Sequence, residues 1–492
     1  MQENNTGTQA PLRLLIIGAG FGGLGMAIRL RQTGIEDFLI LEKADEVGGT
    51  WRDNGYPGAA CDVPSHLYCF SFEPKADWSR KYAPRAEIFA YLKHCADKYQ
   101  LRPRIRFGCE VADAAFDAQA GLWRVRCVDG RIFRAQALIS ACGQLNRPAY
   151  PQLPGLERFE GEAFHSARWN HDYDLRGKRV AVIGTGASAI QFIPQIVPQV
   201  ASLHLFQRSA AYVIAKPDRP YRAWEQALLG RWPRLLRLDR GLQYLMHEVR
   251  ALALIAFPAL MKPYLKGFHR HLARAIADPV LRGLLTPDYP LGCKRILISN
   301  DYYPALAQAK VQVIGQAITE VTARGLVTVD GREHGVDAII YGSGFAATDF
   351  LAPMRISGLD GRELNQAWQA GAEAYKGISV SGFPNLFILY GPNTNLGHNS
   401  IVYMLESQFP YVLDGVRLLA ARGLRYLDVK PPVMRQYNQR LQARVQGTVW
   451  DQGCTSWYKT ASGKNTNNWP GFTFTYRRQT RVLEPSDYDC VQ

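Results

Sequence analysis

Short runs of apolar residues followed by glycine-rich turns occur twice in the chain, and each predicts a β-strand, a turn and an α-helix. The first run, residues 12–17, leads into Gly-Ala-Gly-Phe-Gly-Gly at 18–23. The second, residues 179–183, leads into Gly-Thr-Gly-Ala-Ser-Ala at 184–189. Another apolar run follows each helix pattern and predicts a second strand. Glycines allow a tight turn and let backbone N–H groups approach a pyrophosphate at the helix N-terminus, so we predict two dinucleotide-binding units.

The charged residues that follow the second strand of each unit are opposite in sign. Glu42 and Arg208 both stand 24 positions after the leading glycine of their turn. A carboxylate at this place accepts hydrogen bonds from an adenosine ribose 2′-hydroxyl, whereas a guanidinium holds a 2′-phosphate. The neighbouring Ser209 offers a hydroxyl to the same phosphate. The two units are therefore predicted to bind different dinucleotides, and the second favours NADP.

The rest of the pattern predicts an α/β fold with two Rossmann-like dinucleotide-binding domains and a helical insertion. A proline-rich connector at 147–155 separates the two domains. Leucine and arginine recur at helical spacing between about 215 and 285, which predicts the insertion. The predicted organisation is a first domain formed by residues 1–145 and 335–492, and a second domain, including the insertion, formed by residues 146–334.

Size and composition are typical of a globular protein with two or three domains. The chain has 492 residues, of which 47% are apolar and 21% charged. No run of eighteen uncharged apolar residues occurs and the N-terminus lacks a signal-peptide pattern, so we expect no integral membrane segment. The nine cysteines show neither a Cys-x-x-Cys pair nor metal-ligand spacing. This pattern predicts no metal site, reduced thiols and a cytoplasmic location, and it argues against a flavin disulfide reductase.

The formal net charge of +15 does not by itself indicate a nucleic-acid partner. Binding of nucleic acid would require basic clusters interleaved with aromatic residues or a recognisable module, and neither is found. Attraction to cofactor phosphates, attraction to acidic surfaces or plain solubility explains the charge more simply. The insertion has two interpretations, a basic amphipathic helix in weak contact with a membrane surface and a lid over a cofactor cleft.

Three segments carry a resemblance to a known family. Residues 159–170 match the FxGxxxHxxxW fingerprint of type I Baeyer–Villiger monooxygenases, with His165 and Trp169 in place and Asn170 where the family usually has proline or aspartate. Residues 49–62 match GxWx(4)YPGxxxD, which ends in Asp62. Residues 289–295 are similar to the family's YPxGxKR segment, which ends in Arg295. The resemblance covers nearly the whole chain.

This resemblance implies that FAD binds the first unit and NADPH the second. It also implies that the enzyme converts a ketone to an ester or lactone with dioxygen through a C4a-peroxyflavin. A cationic Arg295, held by Asp62, would favour the deprotonated peroxide, and His165 would couple the domain linker to cofactor-dependent motion. The cofactor-binding residues so implied are Gly18, Gly20, Phe21, Gly23, Glu42, Lys43, Gly49, Thr50, Trp51, Asp53, Asp62, Tyr68, Val111 and Gln144 for FAD, and Gly184, Thr185, Gly186, Ala187, Ser188, Gln191, Arg208, Ser209, Lys294 and Trp457 for NADPH.

Other functions remain open at the level of the sequence. The nearest alternative is a flavin monooxygenase that oxygenates sulfides or amines, although Trp169 favours the Baeyer–Villiger branch. A second alternative is an NADPH oxidase or reductase that oxygenates nothing, and a third is a lipid-binding protein with vestigial nucleotide sites. The sequence determines neither the ketone nor the oligomeric state.

Overall fold

The computed structural model describes residues 10–451, 453–454 and 456–492. The strands are β1 (Leu12–Ile17), β2 (Phe38–Leu41), β3 (Ile105–Arg106), β4 (Val111–Asp117), β5 (Leu122–Cys127), β6 (Ile132–Ser140), β7 (Glu162–His165), β8 (Arg179–Ile183), β9 (Ser202–Phe206), β10 (Val213–Ile214), β11 (Leu297–Ile298), β12 (Val311–Ile314), β13 (Ile318–Val321), β14 (Gly325–Thr328), β15 (Glu333–Gly335), β16 (Ala338–Tyr341), β17 (Arg355–Ser357), β18 (Leu386–Ile388), β19 (Tyr426–Val429) and β20 (Tyr488–Val491). The α-helices are α1 (Phe21–Gln32), α2 (Thr50–Asp53), α3 (Arg85–Lys98), α4 (Ala189–Ile196), α5 (Ala223–Arg231), α6 (Pro233–Ala251), α7 (Lys262–Ala275), α8 (Pro279–Leu284), α9 (Tyr302–Leu306), α10 (Leu364–Ala367), α11 (Ile401–Ala421), α12 (Pro431–Val445) and α13 (Thr473–Gln479).

The first sheet has eight strands and combines β1 to β6 from the N-terminal part of the chain with β17 and β18, which follow the second sheet in sequence. Its order is β17-β4-β5-β6-β1-β2-β3, and β18 also pairs with β6. Strands β1, β2, β6 and β18 run parallel, whereas β5 is antiparallel to β4 and β6. All four residues of β2 are buried, as expected for a parallel strand covered on both faces. Helix α1 packs beside α11 on one face of this sheet, so the C-terminal part of the chain completes the core of the first unit.

The second sheet is wholly parallel and has the order β12-β9-β8-β16-β7. Strand β16 pairs with β8 from Ala338 to Tyr341. The domain boundary expected at residues 334 and 335 therefore falls one strand too early. Sequence pattern could not show this, because a short buried strand fits either sheet equally well.

The helical insertion consists of α5 to α8, with a π-helical turn at Leu252–Ala256 and a 3₁₀ turn at Pro258–Met261 between α6 and α7. Pro258 cannot donate a backbone hydrogen bond, which explains why the α-helix does not continue through this segment. Smaller sheets pair β10 with β11, β13 to β15 with one another, and β19 with β20. No helix in the described part of the chain is long and apolar enough to cross a membrane.

The cysteines differ from the expectation in one pair. Cys293 and Cys454 form a disulfide with their Cα atoms 6.2 Å apart, although 161 positions separate them in the sequence. The other seven cysteines are free thiols. The expectation of nine reduced thiols is therefore wrong for this pair, because only the tertiary fold brings the two residues together.

Candidate functional site

The first glycine turn is built so that no side chain fits at its tightest points. Gly18 has φ +102°, and a Cβ atom there would lie 2.8 Å from the carbonyl oxygen of Ala141. A Cβ atom on Gly23 would lie 1.8 Å from the carbonyl oxygen of Gly18. Helix α1 begins directly after the turn, at Phe21, and its first backbone N–H groups are free of helical partners. This end of the helix can accept an anionic pyrophosphate.

Glu42 lies at the end of β2 and is buried. Its carboxylate accepts hydrogen bonds from the backbone N–H groups of Ala19 at 2.8 Å and Ala44 at 3.0 Å, and from Arg52 Nη1 at 3.1 Å. Burial of a carboxylate is tolerated because these donors satisfy it. Glu42 thus fixes the glycine turn against the strand end where the sequence predicts the ribose contact.

A cavity of about 280 Å³ opens beside this turn. Gln144 projects there: its Nε2 donates to the carbonyl oxygen of Tyr390 at 3.0 Å, while its buried Oε1 has no partner among the described residues. Such an orphaned acceptor fits a ligand with N–H groups, such as a flavin ring. The predicted FAD residues in the lining are Gly18, Gly20, Phe21, Glu42, Lys43, Gly49, Thr50, Trp51, Asp53, Tyr68, Val111 and Gln144.

Two predicted FAD residues lie elsewhere, and one wall of the cavity was missed. Gly23 packs beneath the glycine turn, and Asp62 lines a different cavity. The missed wall is formed by residues 346–347 and 349–354 together with Tyr390 and Leu405. Of these wall residues, only Tyr390 could have been found from the sequence, because it ends an apolar run before the turn Gly391-Pro392-Asn393.

The second glycine turn connects β8 to α4 and repeats the geometry of the first. Gly184 has φ +109°, and a Cβ atom there would lie 2.5 Å from the carbonyl oxygen of Gly342. Gly186 and Ala187 follow at the exposed tip, and Ser188 is the N-cap of α4. The hydroxyl of Thr185 donates to the carbonyl oxygen of Ser209 at 3.1 Å. The turn is thereby attached to the end of β9, where the sequence predicts the 2′-phosphate contact.

Two cations converge beside this turn. Lys294 Nζ donates to Ser209 Oγ at 2.9 Å, and Arg208 is exposed next to it. Burial and the nearby Arg208 guanidinium lower the pKa of Lys294. Like charges at close range are relieved by an anion, so the cluster fits a phosphate monoester.

Gln191 does not line either cavity but joins the two nucleotide units. Its Oε1 accepts from the Tyr56 hydroxyl at 2.9 Å, and its Nε2 donates to the carbonyl oxygen of Ala60 at 3.0 Å. Tyr56 and Ala60 belong to the YPG segment that leads to Asp62. Helix α4 therefore helps to position the loop that carries Asp62.

Arg295 and Asp62 form an ion pair between the two units. Asp62 Oδ2 accepts from Arg295 Nε at 2.9 Å and from Nη2 at 2.5 Å, and the two side chains are 29% and 30% exposed. The Asp62 carboxylate raises the pKa of Arg295 above its ordinary value, so the guanidinium remains charged. The structure thus brings together two residues that stand 233 positions apart in the sequence.

Both members of this pair line a second cavity of about 200 Å³. Its opposite wall comes from the helical insertion and from the segment before α11. The sequence predicted the insertion, but it identified none of the residues by which these two segments line the cavity. His247 and Arg250 come from α6, and His398 and Asn399 precede α11. His398 is buried, with both ring nitrogens free of hydrogen bonds among the described residues, and burial lowers its pKa to about 3. The wall facing Arg295 therefore contains neutral imidazole and amide groups together with the Arg250 guanidinium.

His165 lies apart from both cavity linings, at the end of β7. It is buried between the rings of Tyr150 and Phe345, at centroid distances of 5.4 and 5.8 Å, and its Nδ1 accepts from Ala167 N at 3.1 Å. Burial lowers its pKa to about 4. A buried neutral imidazole in this place supports a role in linker packing rather than proton transfer.

Asn170, at the end of the fingerprint segment, stabilises this part of the chain through two side-chain hydrogen bonds. Its Nδ2 donates to Glu162 Oε1 at 2.7 Å, and its Oδ1 accepts from the backbone N–H of Asp172 at 3.0 Å. Trp169 packs against Phe164 at a centroid distance of 5.1 Å. Asparagine thus closes this turn where proline or aspartate was expected.

Trp457 lies outside both cavity linings, and it packs against the core cluster that contains Leu254 and Met261 of the second cavity. Its ring packs at an angle against Tyr458, with centroids 4.4 Å apart, and its carbonyl oxygen accepts from Asn467 Nδ2 at 2.8 Å. The disulfide from Cys293 to Cys454 joins this segment to the loop that carries Arg295. The predicted nicotinamide contact and the predicted catalytic arginine are therefore on connected segments.

Comparisons with known proteins agree with this geometry. The family described as "Pyridine nucleotide-disulphide oxidoreductase" matches residues 15–224. A Baeyer-Villiger monooxygenase of Pseudomonas aeruginosa is 51% identical over 97% of this chain and 91% of its own length, and one of Streptomyces coelicolor is 48% identical over 98% and 93%. The crystal structure of OTEMO in complex with FAD and NADP superposes with a TM-score of 0.88 at 27% identity, covering 98% of this chain and all of its own.

Proposed function

We propose, because this chain belongs to the Baeyer–Villiger monooxygenase family, that the cavity between Arg295, Asp62 and the helical insertion is where it oxygenates a ketone. The enzyme is an NADPH-dependent flavoprotein monooxygenase with two Rossmann domains, as the sequence predicted. When bound, NADPH supplies the reducing equivalents and FAD activates dioxygen.

The single observation that carries the proposal is the ion pair of Arg295 and Asp62 in the cavity wall. A guanidinium cannot lose its proton near neutral pH, so it provides a fixed positive charge. Such a charge stabilises negative charge that develops on oxygen atoms during attack on a ketone carbonyl. Asp62 leaves one nitrogen of the guanidinium, Nη1, without a hydrogen bond among the described residues.

The nucleotide sites are proposed on either side of this cavity. The glycine turn at α1, Glu42 and Gln144 would hold FAD, and the turn at α4 with Arg208, Ser209 and Lys294 would hold NADPH. Both glycine turns lack room for a Cβ atom at their leading glycine. Two cationic side chains, Arg208 and Lys294, lie beside the second turn. Gln191 links the two units by hydrogen bonds, which supports a shared site between them.

The apolar residues of the insertion would exclude water while the ketone reacts. Ala253, Leu254 and Met261 line the cavity and are themselves buried. Their side chains offer no hydrogen bonds to solvent. His165 is proposed to act at a distance, by fixing the linker between the two units rather than by touching the substrate.

Oxygen incorporation tests this function directly. The FAD-loaded protein is incubated with NADPH, isotopically heavy dioxygen and a panel of linear, cyclic, aromatic and steroidal ketones, in parallel with sulfides and amines. We expect esters or lactones that contain one heavy oxygen atom, detected by mass spectrometry. Labelled sulfoxides or N-oxides without any ester would favour the alternative monooxygenase, and hydrogen peroxide alone would favour an oxidase.

A cytoplasmic location is part of the same proposal. NADPH is an intracellular reductant, so an enzyme that consumes it is expected where the cofactor is regenerated. Fractionation of cells that express the chain tests this, with activity expected among the cytoplasmic contents or on the inner surface of the membrane. Recovery from a secreted fraction would contradict it.

A further inference from the structure

Helix α6 presents polar side chains inward and apolar side chains outward. Gln243, His247 and Glu248 are buried, and Glu248 accepts hydrogen bonds from Thr473 N at 2.5 Å and Asn399 Nδ2 at 2.6 Å. At 100° per residue, six outward apolar positions fall within an arc of about 100°. These positions, 40–59% exposed, form what we call the outward stripe: Leu235, Leu238, Leu242, Leu245, Met246 and Val249.

The outward stripe belongs to the largest concentration of exposed apolar side chains in the described part of the chain. Of nineteen large exposed apolar residues, eleven lie between Trp224 and Leu260. Scattered apolar side chains are normal on a protein surface, but a contiguous patch of this kind marks an interaction site. The inward residues Gln243, His247 and Glu248 are buried and each forms a hydrogen bond within the fold, so the stripe is not a core face left uncovered by chance.

The segment that contains the outward stripe has an excess of positive charge. Residues 222–282 contain eleven Lys and Arg but four Asp and Glu, a formal charge of +7 out of +15 for the chain. Arg231, Arg234 and Arg237 are exposed at the N-terminal end of the stripe. Within the described residues no ion pair involves these three arginines. They are therefore available to an anionic partner.

We infer that the insertion docks on the surface of an anionic lipid bilayer. The outward stripe would lie at the boundary between headgroups and acyl chains, with the three arginines at the lipid phosphates. A second copy of this chain is less suitable, because a two-fold interface would place one +7 segment against another. The inward side of the same helix contributes His247 and Arg250 to the cavity, so docking would hold the cavity beside the bilayer. This inference does not depend on the chemistry at Arg295.

Vesicle sedimentation of the FAD-loaded full chain tests the inference. The probes are vesicles of phosphatidylcholine alone and vesicles that also contain phosphatidylglycerol. We expect at least about tenfold tighter binding to the anionic vesicles, and loss of this preference in high salt because the attraction is screened.

Paired substitutions separate the stripe from general surface effects. Leu242→Asp with Met246→Asp should weaken binding to anionic vesicles at least about tenfold, since both apolar side chains would become anionic. The matched control is Val128→Asp with Val329→Asp, two positions that are each 66% exposed in other parts of the fold. The control should bind like the parent, and both proteins should retain FAD and oxidise NADPH in solution.

Several results would overturn the inference. Equal binding to neutral and anionic vesicles, no binding to either, or equal losses in the stripe variant and its control would each reject it. Sedimentation equilibrium without lipid is the second measurement. A parent dimer that becomes monomeric only in the stripe variant would assign the stripe to a second copy of the chain and reject lipid docking.

Discussion

Replacement of Arg295 by alanine should separate cofactor oxidation from oxygenation. The substitution removes the guanidinium that Asp62 holds at 2.5 and 2.9 Å in the cavity wall. FAD and NADPH are proposed to bind through other residues, so the variant should keep its flavin and still oxidise NADPH. Formation of ester from ketone should be lost, and the consumed oxygen should appear as hydrogen peroxide.

The size of the effect follows from the exposure of the pair. A negative charge that develops on an oxygen atom about 4 Å from the guanidinium would be stabilised by about 4 kcal/mol, at the effective dielectric constant of about 20 that suits partly exposed groups. Asp62 offsets part of this stabilisation, because its negative carboxylate is hydrogen-bonded to the same guanidinium. About 3–4 kcal/mol remains, which corresponds to a loss of about 10²–10³-fold in the rate of oxygenation.

The assay measures ester by mass spectrometry and NADPH consumption by absorbance in the same reaction. Arg295→Lys retains the charge but not the two bonds to Asp62, so it should fall between the parent and alanine. Arg324→Ala, which removes an exposed arginine between β13 and β14, is the matched control and should behave like the parent. Ester formation by Arg295→Ala within tenfold of the parent would refute the proposed role.

Three further predictions concern cofactor binding and stability. Arg208→Ala should raise the KM for NADPH about 10- to 100-fold and reduce the preference over NADH, because a charge-assisted phosphate contact is lost while Lys294 remains; an unchanged KM ratio would contradict this. Gly23→Ala should abolish flavin absorbance in the purified protein, since its Cβ atom would lie 1.8 Å from the carbonyl oxygen of Gly18; normal flavin content would show that the turn can adjust. Because burial lowers the pKa of His165 from 6.5 to about 4, stability should fall as pH decreases between these values, by up to about 3 kcal/mol. Between pH 7 and pH 4.5 the Tm should fall less for His165→Gln than for the parent. Equal falls in Tm for the two proteins would contradict this role of His165.

The sequence determined the local units of this protein because their chemistry is local. An apolar strand, a glycine turn and the start of a helix lie within a few residues of one another, so both nucleotide units and the charges of Glu42 and Arg208 are visible without the fold. The leucine and arginine spacing also predicted the insertion. The three motifs identified the family, and hence Arg295 and Asp62 as partners.

Tertiary structure decided what depends on contacts between distant segments. The disulfide of Cys293 and Cys454, the placement of β16 in the second sheet and the cavity wall containing His398 join residues far apart in the chain. The direction that α6 faces was also invisible, because helical periodicity gives the angle between apolar and polar residues but not which side meets the core. Burial and register are properties of the packed chain, and only the packed chain shows them.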